Sequence, residues 1–196
     1  MRIVNGPHPF KTIDIHEIFA QYPRTSLLVS SRQLQTLGTL GTFIIMGMID
    51  ITGKETVLRE AVASGRISLA PETLARIKEH KIKKGDPRAV AEIAAINAAK
   101  DTARLIPHCH QIPLSTVDVT VSLEKDFMEA TCLVKATATT GVEMEALVGV
   151  SMALAVIWDM VKYLEKDESG QYPSTRISDI RVIRKTKEPL SSYDPD

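Results

Sequence analysis

The chain has 196 residues, 44% of them hydrophobic and 24% charged, with a formal net charge of +0. That length suits one good core with at most an appendage, and the charge balance argues against a bulk nucleic-acid coat or an anionic membrane surface as partner. Only 5% of residues are aromatic, too few for the base-stacking platforms of single-stranded nucleic-acid binders. The two cysteines, Cys109 and Cys132, make no disulfide framework, which points to a reduced, cytoplasmic setting. No stretch reads as the roughly 18 apolar residues of a membrane span. The run Phe43–Ile49 is far too short and lacks a signal cleavage site.

Residues 1–46 read as an N-terminal extension, partly disordered. Asp14–Tyr22 is expected to form a short helix ending before Pro23, followed by the Ser/Thr/Gly-rich arm SSRQLQTLGTLGT. A true start near Met46 or Met48 is the alternative reading of this stretch. Residues 47–188 then form the main domain, and 189–196 a polar, loose tail.

From Thr56 to Leu69, TVLREAVASGRISL alternates and is broken by Gly65, which predicts a strand with a bulge or bend there. Pro71 opens a short helix, PETLARIKEH. A second helix follows KKGD, with Asp86 as N-cap and Pro87 at the first helical position. Its alanine-rich body runs to Leu105, and Pro107 and Pro113 frame an irregular turn after it. Val117–Leu123 and Phe127–Thr137 alternate as two strands around the turn Glu124–Asp126. A long helix covers about Gly141 to Glu165, and a last strand Ile177–Arg184.

The order β-α-β-β-α-β predicts an α+β, ferredoxin-like fold: an antiparallel sheet with helices on one face. Val117, Val119, Ile180 and Val182 are expected to leave apolar surface on the open face, favouring a homo-oligomer.

Several groups on this frame could do chemistry. Asp159 and Lys162, at i and i+3, share one helix face. They form either a surface ion pair of about 0.2–0.5 kcal/mol or a proton-transfer pair at the end of a core helix. In LIPHCH, His108 or His110 could move protons near neutral pH. The alternation of His108, Cys109 and His110 also admits a metal reading, but zinc needs three or four ligands and the other histidines are scattered. Lys81, Lys83, Lys84 and Arg88 surround a helix N-terminus, where anions are favoured; a solvated loop is the plain alternative. GKET at Gly53 is no Walker A motif. Glu143 and Glu145 open the long helix, where one could cap while the other reaches a ligand.

As a set, MIDITGKETVLREA, PETLARI, KKGD, AAINAAKDTARLIPHCHQIPL, TGVEMEAL and IWDMVK resemble the cyclic pyranopterin monophosphate synthase (MoaC) family of molybdenum cofactor biosynthesis, from about Met48 to Lys187. The resemblance implies a ferredoxin-like fold and a homohexamer, a trimer of dimers with active sites at a subunit interface. The implied substrate is a cyclised dihydroguanosine triphosphate, converted to the cyclic phosphate of a pyranopterin with release of pyrophosphate. No metal or organic cofactor is implied. By position, the implied catalytic residues are Asp159, Lys162, Lys84 and His110; the implied substrate-binding residues are Arg59, Lys100, His108, Cys109, Glu143, Met144 and Glu145. Three departures stand out. Thr139 replaces a lysine common in relatives, HCHQ at His108–Gln111 replaces LCHP, and KTKEPLSSYDPD replaces a glycine-rich, lysine-bearing tail. The lost charge at Thr139 motivates a rival reading, a non-catalytic purine-nucleotide-binding module. A metal hydrolase centred on His108 and His110 is a third.

Overall fold

The computed structural model describes residues 47–192; the expected helix Asp14–Tyr22 and the arm after it lie outside them. Among the described residues, four strands and four helices follow in the order β1 (Val57–Ser68), α1 (Pro71–Lys78), α2 (Pro87–Lys100), α3 (Thr102–Leu105), β2 (Thr116–Leu123), β3 (Phe127–Ala138), α4 (Glu143–Glu165) and β4 (Arg176–Glu188). A 3-10 turn, Leu190–Ser192, follows. The strands form one antiparallel sheet in the order β2-β3-β1-β4, so the α+β, ferredoxin-like expectation holds.

Alternation decides which side chains meet the helices. Ala61, Ala63 and Ile67 of β1 and Met128, Ala130, Cys132 and Val134 of β3 are buried, and α4 and α2 lie over them with Val150, Leu154, Ile157, Ala91 and Ala95. Val119 belongs to this core and Val117 packs against it, contrary to the expectation that both face outward. Ile180 of β4 does remain exposed, whereas Val182 is half-buried. On the opposite sheet face the polar partners are paired: Glu60 meets Lys135 at 3.1 Å and Arg184 at 2.7 Å.

Gly65 is one place where the sheet and α4 approach closely. A Cβ there would meet Val150, Leu154 and Ile180 side chains at 2.8–2.9 Å. The predicted bulge is present, as register shifts between β1 and β4 at Val62/Ala63 and Ser64/Arg66.

The long second helix splits at Asp101 into α2 and α3, because Asp101 leaves helical geometry at φ −98, ψ 7. Asp86 caps α2 as expected, its carboxylate accepting from the Arg88 amide at 2.9 Å. β4 extends four residues past the expected Arg184, since β1 offers it partners as far as Leu58. The expectation that no segment approaches a membrane span needs correction. Glu143–Glu165 is long and apolar enough, with an 18-residue window of mean hydropathy 1.7, but half of that window is buried inside the domain. Its apolarity is that of a core helix.

Candidate active site

Helix α4 carries ionisable groups at both ends and almost none between. Its C-terminal end holds Asp159 and Lys162 one turn apart, and the Lys162 ammonium meets the Asp159 carboxylate at 2.8 Å. The turn Ile82–Gly85 brings in a second cation. Gly85 takes φ +100, a conformation that favours glycine, and its amide donates to the Ile82 carbonyl at 3.1 Å. Lys84 then reaches the Asp159 carboxylate at 2.7 Å and its backbone carbonyl at 2.9 Å. One carboxylate is thus shared by two ammonium groups. Hydrogen bonds from Lys162 and then Lys84 hold Asp159 down at about 2, and Asp159 in turn raises Lys162. Around neutral pH Asp159 is therefore ionised and Lys162 keeps its proton. All three side chains are roughly half exposed.

The rest of the basic turn is used differently. Lys81 pairs with Glu79 and Arg88 with Asp86, so neither is aimed at an anion.

The N-terminal end of α4 is arranged oppositely. No side chain caps the first turn, against the expectation that one glutamate would. Glu143 instead accepts from Lys185 at 2.9 Å. Partial burial works to raise it, but the Lys185 hydrogen bond, its own amide and the nearby Arg59 outweigh that and keep it low. Gly141 makes room for this pose: a Cβ there would overlap the Glu143 carboxylate. Glu145 faces inward, 4% exposed, with Oε2 lacking a hydrogen-bond partner among the described residues. Burial first, and the Glu143 charge as well, push its carboxyl up, while its own amide opposes them.

Arg59 projects from β1 toward this end. Its Nη2 donates to the Thr139 carbonyl at 3.3 Å, and its buried Nε has no partner among the described residues. At the position where the resemblance led to a missing lysine, the backbone of Thr139 therefore anchors an arginine. Arg59, Gly141, Glu143, Lys185 and Lys187 border a cavity of about 290 Å³. Lys185 and Lys187 were not among the expected site residues. Their i, i+2 spacing in KTK places them on one face of a strand, a signal legible once β4 is extended through them.

The HCH segment lies on this side too. Cys109 is near enough to Glu145 that the carboxylate, secondary to burial, raises its thiol, and His110 lies near Asp50. His108 and Lys100 are exposed, and Met144 is 38% exposed. Among the described residues no cluster of three or more His, Cys, Asp or Glu side chains is placed to hold a metal ion.

The expected catalytic set is therefore divided. Lys84, Asp159 and Lys162 meet at one end of α4; Arg59, Glu143 and Glu145 gather at the other, on the side of Cys109 and His110. Sixteen helical residues separate Glu143 from Asp159, about 24 Å along the axis. The two groups therefore stand at opposite ends of α4.

A sequence model described as MoaC family matches residues 48–188. A protein of Thermococcus kodakarensis, described as "Probable cyclic pyranopterin monophosphate synthase", is 59% identical over 140 residues, covering 71% of this chain and 90% of its own. Proteins with the same description from Pyrococcus abyssi (57% identical; 71% of this chain, 88% of that one) and Methanoregula boonei (56%; 71% and 90%) are similarly close. The chain belongs to the MoaC family.

Proposed function

We infer that this chain is a cyclic pyranopterin monophosphate synthase of molybdenum cofactor biosynthesis, a lyase acting on the cyclised dihydroguanosine triphosphate. Family membership supports the activity, and the observation that carries the chemistry is the Lys84–Asp159–Lys162 cluster. The reaction needs no net oxidation or reduction. A sugar hydroxyl gives up its proton to solvent and attacks the α-phosphorus, the P–O bond to the β-phosphate breaks, and pyrophosphate leaves as the cyclic ester closes. Lys84 and Lys162 offset the charge that moves onto the leaving oxygens. Because Asp159 is ionised and Lys162 protonated before substrate arrives, Lys162 is the proton donor and Asp159 orients it. His110 serves as the further proton carrier for ring opening. Glu145 suits the guanine amino group, since its free buried oxygen needs a donor. Arg59 and Lys185, with Lys187, Lys100 and the HCH segment, make up the binding side with Met144 and Glu143.

The working site is formed by two copies of the chain, within a hexamer built as a trimer of dimers. The separation of the half-sites supports this reading, since a partner must carry Lys84, Asp159 and Lys162 to Arg59 and Glu145. The exposed stripe Ser151, Met152 and Ala155, midway along α4, gives a second copy a surface to meet. Residues 47–188 form the catalytic unit and 1–46 an extension, in a cytoplasmic protein.

Incubation of the purified chain with the cyclised triphosphate tests the activity: pyrophosphate and the pterin product should appear together. Binding without pyrophosphate release would instead favour the nucleotide-binding module. The shared site is tested by mixing Asp159→Asn subunits with Arg59→Ala subunits after reversible dissociation. Each is expected to be nearly inactive alone, and a mixed pair regains one intact site. Absence of any recovery on mixing would remove the two-copy site.

A further inference from the structure

Lys84 is placed by more than its bond to Asp159. Tyr163, the residue after Lys162 on α4, turns its hydroxyl to the same loop, where it accepts a hydrogen bond from the Lys83 backbone amide at 3.0 Å. The Lys83 ammonium lies 5.5 Å from the Tyr163 ring centroid, within cation–π range. Asp159, Lys162 and Tyr163 stand at i, i+3 and i+4, one above another on the same helix face. The helix therefore grips the Ile82–Gly85 turn at two points. Asp159 takes the Lys84 side chain, and Tyr163 takes the main chain one residue before it.

The turn has a fixed base as well. Ile82 is buried, and Gly85 closes back onto the Ile82 carbonyl. With Ile82 buried and Gly85 bonded back to its carbonyl, the Lys83 amide bond to Tyr163 holds the Ile82–Lys83 peptide, and so the direction in which the main chain enters Lys84. A change in that direction is magnified along the four-carbon lysine stem before it reaches the ammonium. Lys84 is also half exposed, so water competes for its charge and a single ion pair in such a setting holds position weakly.

We propose that Tyr163 is a positioning residue for Lys84, and that its hydroxyl sets the main-chain geometry that delivers the Lys84 ammonium to the reacting phosphates. The catalytic part of this assignment rests on the synthase reading; the structural part does not. The variant is Tyr163→Phe, which keeps the ring over Lys83 and removes the acceptor.

Two measurements on the full chain decide it. The first is the rate at which each lysine is acylated by an amine-reactive ester, read site by site by mass spectrometry. In Tyr163→Phe, Lys84 should react about 2- to 10-fold faster, the range of one lost hydrogen bond, while Lys78 and Lys125 keep their wild-type rates. An unchanged Lys84 rate overturns the proposal, and so does an equal rise at every lysine, which would mean general loosening. This result is independent of any turnover. If the wild-type chain releases no pyrophosphate, the synthase reading fails while the labelling result on Lys84 stands.

The second measurement is turnover. Tyr163→Phe should lower kcat by about 2- to 10-fold, and should add nothing further in a Lys84→Arg background, because both changes act through one ammonium. Full additivity of the two substitutions would overturn the proposal, as would wild-type turnover in Tyr163→Phe.

Discussion

The two ends of α4 manage charge in opposite ways. At the C-terminal end three charged groups satisfy one another in water: Asp159 takes Lys84 and Lys162, and nothing is left unpaired. At the N-terminal end Glu145 is buried and Arg59 half-buried, and among the described residues neither the Glu145 Oε2 nor the buried Arg59 Nε has a hydrogen-bond partner. An exposed cluster costs a protomer little to keep, whereas buried, unpartnered polar atoms cost stability that is retained only where something else depends on them. The contrast is the one that the proposed two-copy site would ask of each copy, one end to be covered and the other to be filled.

The sharpest break of the comparison is in catalysis. Asp159→Asn and Lys162→Ala should each fold and yet lose about 10²- to 10⁴-fold in pyrophosphate release, the usual range for a positioned proton-transfer group. Near-wild-type turnover in either would take the proton-transfer role from this end.

The next test concerns the spacer between the ends. Ile157 is fully buried on α4, and Ile157→Ala should cost about 2–5 kcal/mol in urea unfolding. Gly65→Val should also destabilise the fold, because its side chain would have to displace Val150, Leu154 and Ile180. Both should lower stability without a specific effect on either half-site.

At the N-terminal end the two glutamates should respond with opposite sign. Glu145→Gln removes a buried carboxylate and should stabilise the protein at pH 7 by about 1 kcal/mol, with weaker substrate binding. Glu143→Gln breaks the pair with Lys185 and should destabilise by less than about 1 kcal/mol. The pH dependence follows from the direction of the Glu145 shift. Its folded pKa lies above its unfolded value, so the native state binds that proton more tightly. The wild type therefore loses stability as pH rises from the unfolded pKa through the folded one, and the advantage of Glu145→Gln should vanish in acid. Parallel urea midpoints for the two proteins across that range would contradict the burial argument.

The smallest effect is expected on the surface. Lys81→Ala, which removes a pair with Glu79 at an exposed site, should change stability by no more than about 1 kcal/mol and leave turnover as it was. A large loss of turnover would return Lys81 to the anion-binding role that its place beside Lys84 first suggested.

Much of the frame was legible in the chain because its signals are local. Pro71, Pro87 and Asp86 mark helix starts through their own backbone and capping chemistry, and the alternation in Thr116–Leu123 and Phe127–Ala138 needs nothing beyond the strand period. The break at Asp101 was not legible, since the alanine-rich run continues smoothly through it. Nor was the inward turn of Val117 and Val119, because alternation identifies two faces without saying which one the helices will cover. In the same way, Asp159 and Lys162 were paired by spacing alone, while Lys84, 75 residues distant from Asp159, joined them only through the residues that carry the resemblance.

What the sequence determined by itself is the set of periods, caps and breakers that specify the ferredoxin-like order, together with the residue types needed for phosphate and proton chemistry. What the tertiary structure decided is their grouping. Packing α4 across β1 put Arg59 beside Glu143, packing it against α2 and the turn before it put Lys84 beside Asp159 and Tyr163 beside Lys83, and the length of α4 set the two groups about 24 Å apart. Helical and strand periods act over a few residues, whereas distances between charges far apart in the chain exist only once a core has closed around them.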